Sequence, residues 1–395
     1  MIKMRRRVFA AGSAAFAFAP SIVGAQKKYD PGVTDKEIKL GHINPYSGPA
    51  SAYGNIGRAI GAYFDKVNAE GGVNGRKLKL LVEDSKYDPK NAVLAAQKLV
   101  NQDKIFAMVG HLGTAQNMAA MPVQFQKNVI NFFPVTAARE MYEPFHKLKY
   151  SFAATYYDQM KIAVPKLVKD KGAKKVCTMY QDDEFGLEVK RGAEEGLKSI
   201  GMTLAAETSY KRGATDFASQ MQKLAAEQCD MVVLGTIIRE TIGGIATAKR
   251  LGFNPTFIGS SAAYTDLIHK LGGPAMNGLY ATMTVQNPYT DEASQPIRFW
   301  ANKYKTKFNE DPTVFSVYGY SLVDTFLKAA GKAGPSLTTD SFIKAMDTMK
   351  VPPDIFGSAE MTFSPTKRLG SNATRLSQLQ ENRWKVVSEY MHISQ

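Results

Sequence analysis

The chain has 395 residues, of which 44% are hydrophobic and 10% aromatic, and it carries a formal charge of +14. That length exceeds one ordinary core and suits two domains, and that composition excludes an intrinsically disordered chain. No nucleic-acid motif accompanies the positive charge, which argues against a nucleic-acid partner.

The first 25 residues stand apart. Lys3, Arg5, Arg6 and Arg7 give a positive start, residues 8–19 are apolar and small, and Val23-Gly-Ala25 offers a small-residue cleavage site. This pattern reads as an export signal, by the general or the twin-arginine route, and is too short to span a bilayer. Its removal takes away four positive charges and leaves +10. Much of the remainder lies in residues 139–175, where nine Lys/Arg face four Asp/Glu; a solvated Lys-rich helix face accounts for it better than an anionic partner does. No later segment is long and apolar enough to cross a membrane, so the expectation is a soluble, exported protein. Cys177 and Cys229 are the only cysteines. An exported chain permits a disulfide, but both lie in or beside apolar runs where free thiols pack as small hydrophobes, and two unpaired thiols are expected.

After the signal, residues 37–43 predict a strand, 50–68 a helix, 78–83 a strand, 89–101 a helix, 105–110 a strand, 114–126 a helix and 129–133 a strand. Short strands alternating with helices of ten or more residues imply βαβ units and a parallel sheet. An extended stretch at 150–156 leaves this lobe, and the alternation begins again. Helices are predicted at 160–171, 186–200, 217–227 and 242–251, with strands at 175–180, 203–208, 231–234 and 256–258. A second extended stretch at 278–285 precedes helices at 295–308 and 314–330, and the tail reads as a hairpin, 376–380 with 383–389. Two α/β lobes joined by extended crossings form a cleft, and ligands of such sheets sit at the carboxyl ends of the strands.

Catalytic chemistry leaves no constellation here. His42, His111, His146, His269 and His392 lack zinc spacing, and neither a Gly-x-Ser-x-Gly elbow nor a phosphate-binding loop occurs. Gly54, Gly57 and Gly61 have the wrong spacing for a dinucleotide fingerprint and read as a closely packed helix face. Asp182-Asp-Glu184 is better taken as turn residues at a strand end than as a cation site. No enzyme, cofactor or metal is expected. What remains is loops at strand ends: Gly110-His-Leu-Gly-Thr114, with Thr114 as an N-cap in front of free N–H groups that favour an anion, and Phe133-Pro-Val-Thr-Ala137.

Several segments together resemble one family. Ile38-Lys-Leu-Gly-His-Ile43, Ser47-Gly-Pro49, Ala52-Tyr-Gly54, Asn68-Ala-Glu-Gly-Gly-Val-Asn-Gly75, Asp88-Pro-Lys-Asn-Ala-Val93, Gly110-His-Leu112, Asp183-Glu-Phe-Gly186, Asp216-Phe217 and Leu251-Gly252 are similar, in order and spacing, to periplasmic solute-binding proteins of the leucine/isoleucine/valine-binding family, which serve ATP-driven importers. The resemblance implies a type I periplasmic binding fold: two doubly wound α/β lobes joined by three hinge strands, with crossings near Ala154, Thr284 and Gly357. The first lobe would hold residues 26–154 plus 285–357, and the second 155–284 plus 358–395. It also implies a monomer that delivers a small ligand to an inner-membrane ABC permease.

Carried over residue by residue, the resemblance assigns Tyr53 to closing over the ligand, Thr114 to holding a carboxylate, and Val135 to a main-chain contact. Ala137 stands where the family has a hydroxyl residue, Phe185 and Ile237 where tyrosines face the ligand, and Ser261 where a glutamate pairs with the ligand's ammonium group. Tyr156 and Asp158 near the first hinge are candidates to replace that lost partner. An unpaired buried ammonium costs several kcal/mol, so the departures favour an aromatic or hydrophobic carboxylic acid over an amino acid. The alternative is a sensor module that regulates a signalling partner.

Overall fold

The computed structural model describes residues 28–393; the expected export signal, residues 1–25, lies outside them. The chain runs β1 (Glu37–Asn44), α1 (Asn55–Ala69), β2 (Lys77–Asp84), α2 (Pro89–Gln97), β3 (Ala107–Val109), α3 (Thr114–Gln126), β4 (Ile130–Phe132) and β5 (Lys149–Tyr150). These five strands form one parallel sheet in the order β2-β1-β3-β4-β5. The second set is α4 (Tyr156–Lys171), β6 (Val176–Gln181), α5 (Glu184–Ser199), β7 (Ala206–Tyr210), α6 (Ala218–Ala226), β8 (Met231–Gly235), α7 (Ile238–Arg250), β9 (Thr256–Gly259), α8 (Asp266–Gly272) and β10 (Tyr280–Met283).

The chain then returns to the first sheet with α9 (Gln295–Phe308), α10 (Val314–Ala333) and α11 (Thr339–Met346). α10 lies along α1 so closely that a Cβ on Gly319 would stand 2.9 Å from that of Ala59. Phe326 of α10 and Phe342 of α11 both meet the Phe132 ring of β4 edge-on, at 5.7 and 5.6 Å. The final elements are β11 (Lys350–Val351), β12 (Met361–Thr362), β13 (Ala373–Gln380), β14 (Arg383–Val386) and β15 (Met391–His392). β13 joins β10 antiparallel, which completes a second sheet in the order β14-β13-β10-β9-β8-β6-β7. Glu381 and Asn382 turn the β13–β14 hairpin with both φ near +55° (53° and 56°), the two-residue geometry that matches the twist of its strands.

Hydrophobic alternation explains why these elements were legible, and local bonds explain where they differ from expectation. α1 starts at Asn55, five residues later than its pattern suggests, because the Asn44 Nδ2 amide donates to Tyr53 O at 3.0 Å and holds residues 51–54 as a 3₁₀ turn. α8 and α11 were not anticipated; α11 sits in a polar stretch and begins with a reciprocal cap between Thr338 and Ser341. Of the three helix glycines only Gly57 is tightly packed, its absent Cβ leaving room for His42 and the Tyr46 hydroxyl.

Two expectations are corrected. Residues 358–370, assigned by resemblance to the second lobe, stay with the first: β12 pairs with β11 and Leu369 bridges Ser151, and the chain reaches the second sheet only at Ala373. The two cysteines are not free thiols. Cys177 on β6 and Cys229 just before β8 form a disulfide with Cα atoms 5.9 Å apart, since β6 and β8 are parallel neighbours whose starting ends lie side by side. The bridge closes 52 residues of chain, worth about 4 kcal/mol at most by loop entropy. Denatured, unreduced protein should therefore titrate no thiols, and dithiothreitol or Cys177→Ser should lower Tm by several degrees. A full complement of titratable thiols would remove the bridge.

Candidate functional site

The site is built where the strands of both sheets end. Leaving β3, Gly110 turns the chain at a φ of +63°, and Gly113 (φ 102°, ψ 138°) caps α3. Its φ of +102° is strained for any residue with a side chain, and a Cβ there would also displace the Gln116 carboxamide, so this position favours glycine. Thr114 is thus the first residue of α3 and not its N-cap, as had been expected. Its hydroxyl is shared with that of Thr136 at 2.7 Å. The first helical bond of α3 comes from Asn117 N to Gly113 O, so the N–H groups ahead of it have no helical partner. Asn117 also ties down the loop, donating to His111 O at 2.8 Å and Gly113 O at 2.7 Å.

Tyr53, Thr114, Val135, Ala137, Tyr156, Phe185, Ile237 and Ser261 line one cavity of about 60 Å³ between the two sheets. Tyr53 rests against Phe315 of α10, ring centroids 4.9 Å apart, and its hydroxyl crosses the cleft to donate to Ala262 O at 2.8 Å. Tyr156 and Phe185 meet edge-on at 5.0 Å. The Val135 main chain is already engaged, its N–H with His111 O at 2.9 Å and its carbonyl with Gly113 N at 3.4 Å; Thr136 beside it presents the hydroxyl instead. Asp158 does not reach the cavity. Its N–H is capped by Thr155 and its side chain belongs to a groove with Tyr142 and Glu143, where burial raises its pKa.

Sequence reasoning missed Tyr87, Thr136, Ser151, Phe152, Thr284, Phe315 and Tyr318, which also line the cavity. Phe152 and Thr284 lie in stretches read as crossings. Nothing in the pattern around Tyr87, Phe315 or Tyr318 separates a wall residue from a core aromatic.

Ser261 is held from behind. Gln159 of α4, fully buried, donates to Ser261 Oγ at 3.0 Å and Ala154 O at 2.7 Å; its Oε1 accepts from Ser261 N at 2.9 Å and Thr282 Oγ1 at 2.7 Å. Ser261 Oγ therefore accepts inside the protein and keeps its own proton for the cavity. Burial raises the phenols of Tyr53, Tyr87 and Tyr156 and pushes Tyr318 up to about 12, so all four remain protonated donors at neutral pH.

Among the described residues, no Asp, Glu, Lys or Arg lines the cavity. Two carboxylates near the cavity stand outside its wall: Asp183 caps α5 and pairs with Arg212 at 2.7 Å, and Glu240, which acts on Tyr53, pairs through Oε1 with Arg239 at 3.1 Å while its Oε2 is buried without a hydrogen-bond partner and burial raises its pKa. Asp182 pairs with Lys211 at 2.6 Å. No cluster of metal-ligating side chains occurs among the described residues.

The lobes are also joined outside the cavity. Gln181 Nε2 donates to the Tyr87 hydroxyl at 3.3 Å. Arg139 Nη2 and Nε grip the fully buried Glu188 carboxylate at 2.7 and 3.0 Å, with the guanidinium 3.8 Å above the Tyr157 ring. Such contacts between lobes favour closure whenever both lobes are in reach.

The sequence profile of the family described as "Periplasmic binding protein" matches residues 37–383. The chain belongs to the periplasmic binding protein family. It is 26% identical over 300 residues, 75% of this chain and 79% of the relative, to the leucine-, isoleucine-, valine-, threonine- and alanine-binding protein of Pseudomonas aeruginosa. It is 23% identical over 321 residues to the Leu/Ile/Val-binding protein of Escherichia coli K12, 80% and 86% of the two chains. Among solved structures, a fatty acid ABC transporter substrate-binding protein from Thermomonospora curvata superposes with a TM-score of 0.84 at 24% identity, over 93% of this chain and 95% of that one. A branched-chain amino acid ABC transporter protein from Thermus thermophilus with bound valine gives 0.82 at 17% identity, over 92% and 98%. This periplasmic binding protein thus shares its fold with proteins described as binding chemically different solutes. No helix among its described residues is long and apolar enough to cross a membrane.

Two buried histidines beneath the loop give a pH signature. Burial lowers His42 to about 4, partly offset by its bond to Val109 O, and lowers His111 to about 3, with His42 adding to the effect. Below the unfolded value of about 6.5 the unfolded chain binds protons that the folded chain refuses, so stability falls as pH drops from 6.5 towards these folded values. By pH 5 each histidine should cost about 2 kcal/mol. Urea unfolding at pH 7 and pH 5 measures this; equal midpoints would mean that these rings are not buried in neutral form.

Proposed function

We propose that this periplasmic binding protein captures a small monocarboxylate without an amino group between its lobes and delivers it to an inner-membrane ABC permease. The reading rests above all on the charge inventory of the cavity wall: hydroxyl and helix N-terminal donors, and no carboxylate. A carboxylate placed near Thr114 would meet the open end of α3, where unpaired N–H groups and the helix dipole favour negative charge. The bonded hydroxyl pair of Thr114 and Thr136 would supply one further donor, and Ser261 another. An ammonium group would find no anionic partner, a penalty of several kcal/mol where about 1.4 kcal/mol is already tenfold in affinity.

Tyr53 and Tyr87 act in this reading as closing residues, since each hydroxyl bridges to the opposite lobe. Phe185 and Ile237 form an apolar wall for the ligand's carbon skeleton, and Ala137 leaves room where a hydroxyl residue would add another polar contact. We place the lobes' crossings near Ala154, near Thr284 and at residues 370–373. Relatives described as binding branched-chain amino acids support the transport role, and the fatty acid binder of the same fold supports a ligand with no amine.

Two variants separate the carboxylate grip from the ammonium question. Thr114→Ala should weaken acid binding about tenfold in calorimetric titration, the loss of a hydrogen bond to a charged group, and lower the Tm of the ligand-free protein only slightly through loss of the Thr136 bond. Ser261→Glu places a carboxylate at the cavity wall and should create binding of leucine or valine while abolishing binding of the corresponding amine-free acids. Wild-type protein that binds leucine more tightly than 4-methylpentanoate would overturn the proposal.

A further inference from the structure

The closed cavity is small for the ligand class it is built to hold. Its 60 Å³ is less than half the roughly 150 Å³ that accommodates benzene in a protein interior. A carboxylate with a long apolar tail must place that tail elsewhere. At the Tyr53 and Tyr87 side the wall is closed by hydrogen bonds between the lobes. The hinge side is different. There a second compartment of about 490 Å³ lies behind the crossings, and Phe152, Ala153, Thr284 and Tyr318 line both it and the inner cavity. The partition between the two spaces is one layer of side chains.

That layer has the makings of a gate. Phe152 and Tyr318 face each other with ring centroids 5.6 Å apart and planes tilted by 57°, and Phe152 is only half-buried. Thr284 lines both spaces beside this pair. Ala153 belongs to the first crossing and Thr284 to the second, so a path past the gate runs between two hinge segments.

The outer compartment suits an apolar tail better than its polar lining suggests, because its charged groups already have partners in the protein. Lys328 pairs with Asp324 at 2.6 Å. Asp354 accepts from Ser321 Oγ at 3.1 Å and from the N–H groups of Phe356 and Ser358. Val285, Val351, Pro352, Ile355 and Met361 supply the apolar remainder of the wall.

We infer that the hinge-side compartment is a tail subsite, which receives the acyl chain of a longer carboxylate through the Phe152–Tyr318 gate while the carboxylate stays at α3. This rests on the carboxylate reading above and extends it to medium- and long-chain monocarboxylic acids. A ligand threaded between the crossings also contacts the segments that bend during closure, so the two lobes and the hinge respond to one molecule.

The test is a calorimetric series of straight-chain acids from propanoate to decanoate against the wild-type protein, Ala359→Phe and Ala359→Asp. Ala359 lines the outer compartment and not the inner cavity; Phe would fill the space and Asp would put a charge beside the tail. Wild-type affinity should rise about threefold to fourfold per methylene beyond the length held by the inner cavity. Both variants should bind propanoate as the wild type does, with unchanged Tm, and lose most of the gain for octanoate and decanoate. If affinity does not rise with length, or if the variants leave the long acids unaffected, the tail subsite is wrong while the carboxylate reading stands. If no acid of any length binds, both readings fall.

Discussion

A hydroxyl-lined cavity closed between two lobes is stable only if every polar group behind its wall has a fixed partner, and at the hinge one side chain meets that condition. The Gln159 carboxamide makes four hydrogen bonds, to the carbonyl of Ala154, to the main chain and side chain of Ser261, and to the hydroxyl of Thr282. It therefore joins the first crossing, the loop after β9 and strand β10 from a single residue on α4. The orientation of Ser261, the position of the Ala262 carbonyl that receives Tyr53, and the start of the second crossing all follow from that arrangement.

The electrostatic character of the cleft follows in turn. Gln159 stands behind Ser261 as a neutral partner that both donates and accepts, so no ion is needed to complete the wall. On the opposite lobe, the Gly113 cap and the Asn117 bonds orient the end of α3 towards the same space. The cavity is rich in donors and has no anionic acceptor. Nearby carboxylates have partners outside it: Asp183 pairs with Arg212, Glu240 pairs through one oxygen with Arg239 while burial raises its pKa, and Glu188 pairs with Arg139. The last pair also joins the lobes, so it bears on closure without touching the ligand space.

Much of the architecture was legible because periodicity reports local burial. Strands such as Met231–Gly235, buried at every position, and helices such as α5 with its regular apolar face declare themselves within ten or fifteen residues. The family resemblance, carried by short motifs in constant order, was confirmed by a family match over residues 37–383. The seven positions it pointed to line one cavity together with Tyr156, while Asp158, the other hinge candidate, lies outside it. The failures have a common cause. The Cys177–Cys229 bridge depends on β6 and β8 being neighbours, the return of residues 358–370 depends on pairing with β11 and Ser151, and the role of Thr136 depends on Thr114 standing across from it. Each is a contact between residues far apart in the chain, or a choice between adjacent side chains made by backbone geometry.

By itself the sequence determined the alternation of strands and helices and the duplication of one α/β plan. These follow from residue chemistry and short-range spacing. Only the tertiary structure decided which side chains share a space and which charges are already neutralised. It placed Asp158 outside the cleft, put Gln159 behind Ser261, and brought Phe152 of one crossing against Tyr318 of α10. The physical reason is that burial and pairing are properties of neighbours in space, and a cleft takes its walls from segments hundreds of residues apart.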